Sequence, residues 1–380
     1  MTSAALLHTE DTGSGSRSDA HVPKEDHLMS ANASAPAVTR TRVTAFDVAR
    51  GFAIIGMVCG HSIVGLEATG RDLPEAYQVA NDVFHTFRMP LFFLLAGVFL
   101  IHTMKRFSYG GWVADKAQFL LYPYAVWALL RGAVELGALQ VGVGEDLSPT
   151  DVLVGLVWDP RAWYLPALFL AFAVVGGAYA LLHRFAWWGA VAAALVGGLV
   201  LLSDIDGWPP LLEVHPFTLY MLLGVLASRQ LVRATSLSRR IAAVVAAGAA
   251  AVFTVVVFLL YPTGVLADDL SVPFVLASVP GVVMLIALGR AVDTTRAGRV
   301  LQKFGSWSLT IYVAHGIPLS LTRALLDRAG VDSLPVHIIA GTAAGVLLPA
   351  ALAYLMERYG FARWLITMPG YRRSRTQRLP

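Results

Sequence analysis

Up to about residue 42 the chain mixes small, polar and charged residues; beyond that point long apolar runs alternate with short charged loops. The runs are continuous, without strand-like alternation, over roughly 18–22 residues, the length that carries a helix across a ~30 Å hydrocarbon core. Ten of them predict ten membrane helices, at 46–66, 83–101, 117–139, 163–182, 186–203, 212–228, 240–261, 271–290, 307–325 and 336–356. Lipid offers no partner to an unpaired backbone group, so the spans must be helical, and the lack of alternation excludes a barrel. The expected fold is all-α, a polytopic membrane helix bundle.

Composition agrees. Of 380 residues 56% are hydrophobic and 14% charged, against about 25% charged in a soluble globular chain. The charges are sorted by loop. Arg40 and Arg42 precede the first span, Lys105, Arg106 and Lys116 follow the second, Arg229, Arg233, Arg239 and Arg240 follow the sixth, and Arg372, Arg373, Arg375 and Arg378 fill the tail. The intervening loops carry acids instead, among them Glu67, Asp72, Glu145, Asp204 and Asp269. By the positive-inside rule both termini are expected in the cytoplasm, in a multi-pass protein of the cell (inner or plasma) membrane. The net charge of +4 is thus a topology signal, and a nucleic-acid partner has no basic soluble face to bind. Three regions are expected: a disordered cytoplasmic tail over 1–42, a membrane domain over 43–360, and a basic cytoplasmic tail over 361–380.

Within the first span, RGFAIIGMVCGH (50–61) places Arg50 and His61 eleven residues apart. Eleven steps of 100° are three turns plus about 20°, so both lie on one stripe of the helix, about 16–17 Å apart along its axis. Asp47 sits three residues before Arg50, where the two can pair. Charges and imidazoles are costly in lipid, so the stripe is expected to line a protein-walled, partly wet cavity. Cys59 points about 200° away from His61 and reads as a packing residue.

These residues, with Asp47 upstream, resemble the first-helix signature of the acyltransferase 3 family of integral-membrane acyltransferases. FRMPLFFLLAG (87–97), WYLPALF (163–169) and SLTIYVAH (308–315) are similar to further motifs of that family, in the same order, and the resemblance covers about residues 43–360. It implies transfer of an acyl group, usually acetyl, from cytoplasmic acyl-CoA to a hydroxyl of a sugar, typically of a surface polysaccharide or lipid-linked glycan: O-acetylation from acetyl-CoA. Separately, no metal is expected, because no His or carboxylate pair has the i, i+4 ligand spacing within a span. The family's Arg-x-x-Arg-like pair before a proline is missing, since DKAQFLLYPY (115–124) keeps Lys116 and Pro123 but has Gln118 and Phe119.

The residues support such chemistry in their own terms. Transfer from a thioester to a hydroxyl needs a base, and His61 has a suitable unperturbed pKa, as either base or covalent acyl carrier. Arg50, Lys105, Arg106 and Lys116 offer cations for the donor's phosphates at the cytoplasmic mouth. His315, with Tyr312 one turn before it on the same face, is a second catalytic or orienting candidate. Arg88 is placed to bond the carbonyl that Pro90 frees, to hold an oxyanion or substrate carboxylate, or to pair with Glu135. Trp163 and Tyr164 read as an interfacial aromatic belt or a sugar-stacking platform. The competing class is a secondary transporter of a small metabolite or lipid-linked sugar, which intramembrane Arg and His also fit; matched broken segments in the two halves are missing.

The orientation is tested with topology reporters. One fused after residue 380 or within 229–239 should read cytoplasmic and one at 145–150 external; reversed readings would overturn it.

Overall fold

A computed structural model of the chain describes residues 43–140, 150, 155, 162–203, 214–264, 266, 269 and 271–370. The expected N-terminal tail, the arginines of 372–378 and the acidic positions 145 and 204 lie outside them. Among the described residues the regular structure is helical: α1 (Thr44–Glu67), α2 (Glu75–Met104), α3 (Tyr109–Gln140), α4 (Tyr164–Leu182), α5 (Trp188–Ser203), α6 (Thr218–Leu226), α7 (Ser228–Ala234), α8 (Arg239–Leu260), α9 (Val272–Val292), α10 (Arg296–Ser306), α11 (Ser308–Ala314), α12 (Gly316–Arg328) and α13 (Leu334–Tyr359).

Each of the ten expected runs contains helix, but they are not ten equal spans. Among the described residues seven helices, α1, α2, α3, α4, α8, α9 and α13, are long and apolar enough to cross a membrane, and α11 with α12 makes an eighth candidate bent by 48°. The fifth run gives α5, of 16 residues. The sixth is corrected most: the chain turns at Pro216–Phe217, helix begins only at Thr218 and runs for nine residues, and at Ala227 the backbone leaves helical geometry. Hydropathy sums apolar residues across such breaks, so it counts a run as a span whether or not one helix can be built from it.

Local signals set several helix ends. Ser238, Ser271 and Thr295 accept bonds from the backbone N–H groups of Ile241, Phe274 and Gly298, capping α8, α9 and α10. Gly360, at φ 72°, closes α13 in the left-handed conformation that glycine adopts without strain.

α1 is the central element. It packs against α2, α9, α10, α11 and α13, and its buried residues, from Ala45 and Phe46 through Ile54 and Val58 to Leu66, lie all around the helix. By contrast, α8 buries only Ala242, Ala246, Phe253 and Val257, and its other apolar side chains, such as Val244 and Phe258, face outward. Close helix crossings are made at glycines. A side chain at Gly51 would meet the backbone of Leu301 and one at Gly305 the backbone of Asp47, which locks α10 onto α1; Gly97 and Gly224 do the same reciprocally for α2 and α6. Beyond α13 the chain turns back to α3, where Tyr122 Oη and Trp127 Nε1 donate to the carbonyls of Trp364 (2.7 Å) and Leu365 (3.1 Å).

Two glycines of opposite environment test this packing. Gly305→Ala should destabilise the protein by about 1–3 kcal/mol, because backbone cannot yield to the added methyl. Gly248→Ala, in α8 with open space around it, should hold or raise stability by roughly 0.5–1 kcal/mol. Thermal melting of the purified variants checks both; equal melting temperatures would mean that the α1–α10 contact is not tight.

Candidate active site

Of the stripe on α1, the part up to Met57 lines a cavity, while His61, expected there with Arg50, is not among its lining residues. Asp47, Arg50, Ile54 and Met57, at intervals of three and four residues, line one side of a cavity of about 250 Å³ whose other walls come from α2, α3, α4 and the α10–α11 junction. Arg50 Nη1 lies 3.5 Å from Asp47 Oδ1, and its guanidinium sits over the Phe99 ring, 5.9 Å from the centroid. Across the cavity stands Lys116, buried, 3.4 Å from Asp115 Oδ2 and packed over Trp112 and Phe172. Two cations therefore face one cavity at the α1 N-terminal end. Lys105 and Arg106 do not join them; they lie exposed in the turn between α2 and α3, outside the cavity lining.

The cavity ends at Met57 and Tyr312. One turn beyond Met57 is His61, and three residues beyond Tyr312 is His315; the two imidazoles meet there, Nδ1 of His61 to Nε2 of His315 at 2.7 Å. His315 stands at the break between α11 and α12, serving as the last cap of one and the first of the other. Its Nδ1–H donates to the backbone carbonyl of Tyr312 at 2.6 Å. A carbonyl can only accept, so in the neutral pair the proton of His315 resides on Nδ1 and its Nε2 carries the lone pair. His61 must then donate through Nδ1–H, which leaves the lone pair of His61 on Nε2.

Arg88 is buried beneath this pair. Its Nη1 donates to the carbonyl of Gly56 (3.1 Å) and its Nη2 to Asn81 Oδ1 (3.2 Å), while Nε has no partner. The expected bond to the carbonyl freed by Pro90 is replaced by one across to α1. Gly60 explains why: a side chain there would occupy the position of Nη1, so the glycine admits the guanidinium against the α1 backbone. Arg131 on α3 lines a small recess with His315 and Tyr312. The charges of Arg88 and Arg131 both act on His61.

Tyr164 and Tyr312 pack edge to face at 5.1 Å on the cavity wall. Trp163 turns inward, stacked at 4.4 Å on His215, instead of joining an outer belt. The sequence pattern does not single out His85 or His215 and marks Asp269 only as a loop acid. His85 Nε2 lies 3.2 Å from Asp269 Oδ1, and His215 stacks between Trp163 and Phe217. His85 left a signal, since it lies three residues before Arg88 on the same face of α2. His215 and Asp269 lie in loops, and nothing local pairs them with a partner. Among the described residues no group of three or more His, Cys, Asp or Glu side chains is arranged to hold a metal ion.

The chain is 27% identical over 144 residues to the nodulation protein NolL of Mesorhizobium japonicum, a match over 37% of each chain, so it spans little more than a third of that relative's length. No solved structure matches it significantly. The family model described as an acyltransferase domain matches residues 43–354, taking in the Arg50–His61 stripe, the cavity and the histidine pair. The chain belongs to the acyltransferase 3 family of membrane acyltransferases.

Proposed function

We propose that this acyltransferase moves an acyl group, acetyl in the simplest case, from cytoplasmic acyl-CoA to a hydroxyl of a sugar or glycan, with Nε2 of His61 as the proton acceptor. The observation that carries the reading is the chain Tyr312 C=O, His315, His61. It fixes the tautomer of His61 so that the remaining lone pair lies on the outer nitrogen, the form a general base requires. His315 is a positioning residue in this scheme: it orients the imidazole and shares its charge after protonation, as the third member of a catalytic triad does for its histidine.

The donor's anionic end is assigned to the mouth of the cavity, where Arg50 and Lys116 face each other. Phosphates bound there leave the pantetheine arm to follow Ile54 and Met57 toward His61. Met57 lines the cavity one turn before His61, and its thioether side chain, with three rotatable bonds, is suited to move aside. The acceptor oxygen attacks the thioester carbonyl while its proton passes to His61 Nε2. The negative charge of the tetrahedral intermediate falls in the field of Arg88 and Arg131, and Arg88 Nε–H has no other acceptor. Collapse breaks the C–S bond, the thiolate takes the proton back from His61, and the ester and free CoA are released.

Two measurements test the scheme. His61→Ala should lower acetyl transfer 10²–10⁴-fold, the usual worth of a base. His315→Ala should lower it less, and the double variant should be no worse than His61→Ala, because a positioning residue acts only through the group it positions. Multiplying losses in the double variant would show that His315 has an independent role. For the donor, Arg50→Lys should weaken acetyl-CoA binding about tenfold in calorimetry, since a point charge does not reproduce the guanidinium fork. An unchanged Kd would leave Arg50 as the partner of Asp47 alone.

A further inference from the structure

The cluster around Phe217 is absorbed neither by the donor cavity nor by the histidine pair. Phe217 is fully buried and holds two imidazoles. His215 lies flat on it, at 4.5 Å and 26°, and is covered on its other face by Trp163 at 4.4 Å and 19°. His85 meets the same ring edge-on at 5.8 Å, and its Nε2–H donates to Asp269 Oδ1 at 3.2 Å. The four polar and aromatic groups come from four separate segments: the α2 helix, the residues before α4, the turn before α6 and the residue 269 position before α9.

Two features argue for a ligand. The His85–Asp269 pair is partly open, with side-chain exposures of 31% and 23%; a pair at that exposure contributes little to stability, so the fold does not account for it. The polar atoms also alternate in character. His215 Nδ1 accepts from the Phe217 N–H at 3.4 Å, so its Nε2 carries a proton and is a donor, while His85 Nδ1 and the Asp269 carboxylate are acceptors. Donors and acceptors beside the part-exposed ring of Trp163 match a sugar ring, whose hydroxyls both donate and accept and whose C–H faces pack on aromatic rings. The place is right as well: His85 is one turn from Arg88 on α2, whose guanidinium lies against Gly60 beside His61.

We propose that His85, Asp269, His215 and Trp163 form the acceptor subsite, which binds a neutral sugar unit and presents one of its hydroxyls to His61. The assignment rests on the acyl-CoA-to-sugar reading above and adds to it where the sugar binds.

The probe is the glycan fraction extracted from the producing cells and stripped of O-acyl esters by mild alkali. On immobilised full-length protein, wild type should retain this fraction, Asp269→Asn should retain it about tenfold more weakly, the cost of one hydrogen bond to a charged group, and Trp163→Leu should also weaken it through the lost aromatic face. Acetyl-CoA affinity and melting temperature should not move in either variant. In transfer assays the same substitutions should raise the acceptor KM and leave donor Kd unchanged. Equal retention by wild type and variants overturns the subsite, as does a donor Kd that shifts in parallel. If Asp269→Asn does not fold, His85→Asn is read in the same assays by the same criteria. Failure of the parent reading looks different: wild type would retain the glycan fraction yet neither bind acetyl-CoA nor transfer from it, which removes the donor and keeps the subsite.

Discussion

A single hydrogen bond between two imidazoles, His61 to His315 at 2.7 Å across 254 residues of sequence, is the constraint around which the interior is arranged. To make it, α1 has to run through the middle of the bundle and the ninth hydrophobic run has to break where His315 stands. The 48° bend between α11 and α12 is that break. It lets the side chain of His315 reach back to the Tyr312 carbonyl and turn its other nitrogen toward α1. α13 closes behind the pair at Gly345, where a side chain would press on Val58 and approach His315.

Electrostatics then separate two ends of one path. At the α1 N-terminus the cations Arg50 and Lys116 are each set beside a carboxylate, Asp47 and Asp115. Around the histidines, Arg88 instead rests on a carbonyl and an amide. Its direct hydrogen-bond partners are thus neutral, whereas Arg50 and Lys116 each sit beside an acid. Among the described residues the Nε of Arg88 is one of several buried polar atoms that have no hydrogen-bond partner.

Glycine is the means of assembly. Without a hydrophobic driving force between helices in lipid, contact has to come from close packing. Gly51, Gly305, Gly97 and Gly224 bring backbones together, while Gly60 admits a guanidinium and not a helix. The same residue type thus serves both fold and site, and a helix wheel cannot tell the two apart.

The helical class and the shared face of Arg50 and His61 were legible in the sequence because both are local: continuous apolar length and a period of 3.6 residues decide them. The cavity lining at Asp47, Arg50, Ile54 and Met57 is the same periodicity met in three dimensions. The number of full-length spans was less legible, since hydropathy cannot see the turn at Pro216 or the bend at His315. Tertiary structure alone decided which cations share the cavity, keeping Lys116 and leaving Lys105 and Arg106 in an exposed turn; it also joined His61 to His315 and gathered His85, His215 and Asp269 around Phe217. Those pairings join residues far apart in the chain, and their geometry depends on how separate helices cross, a property that no local pattern of residues encodes.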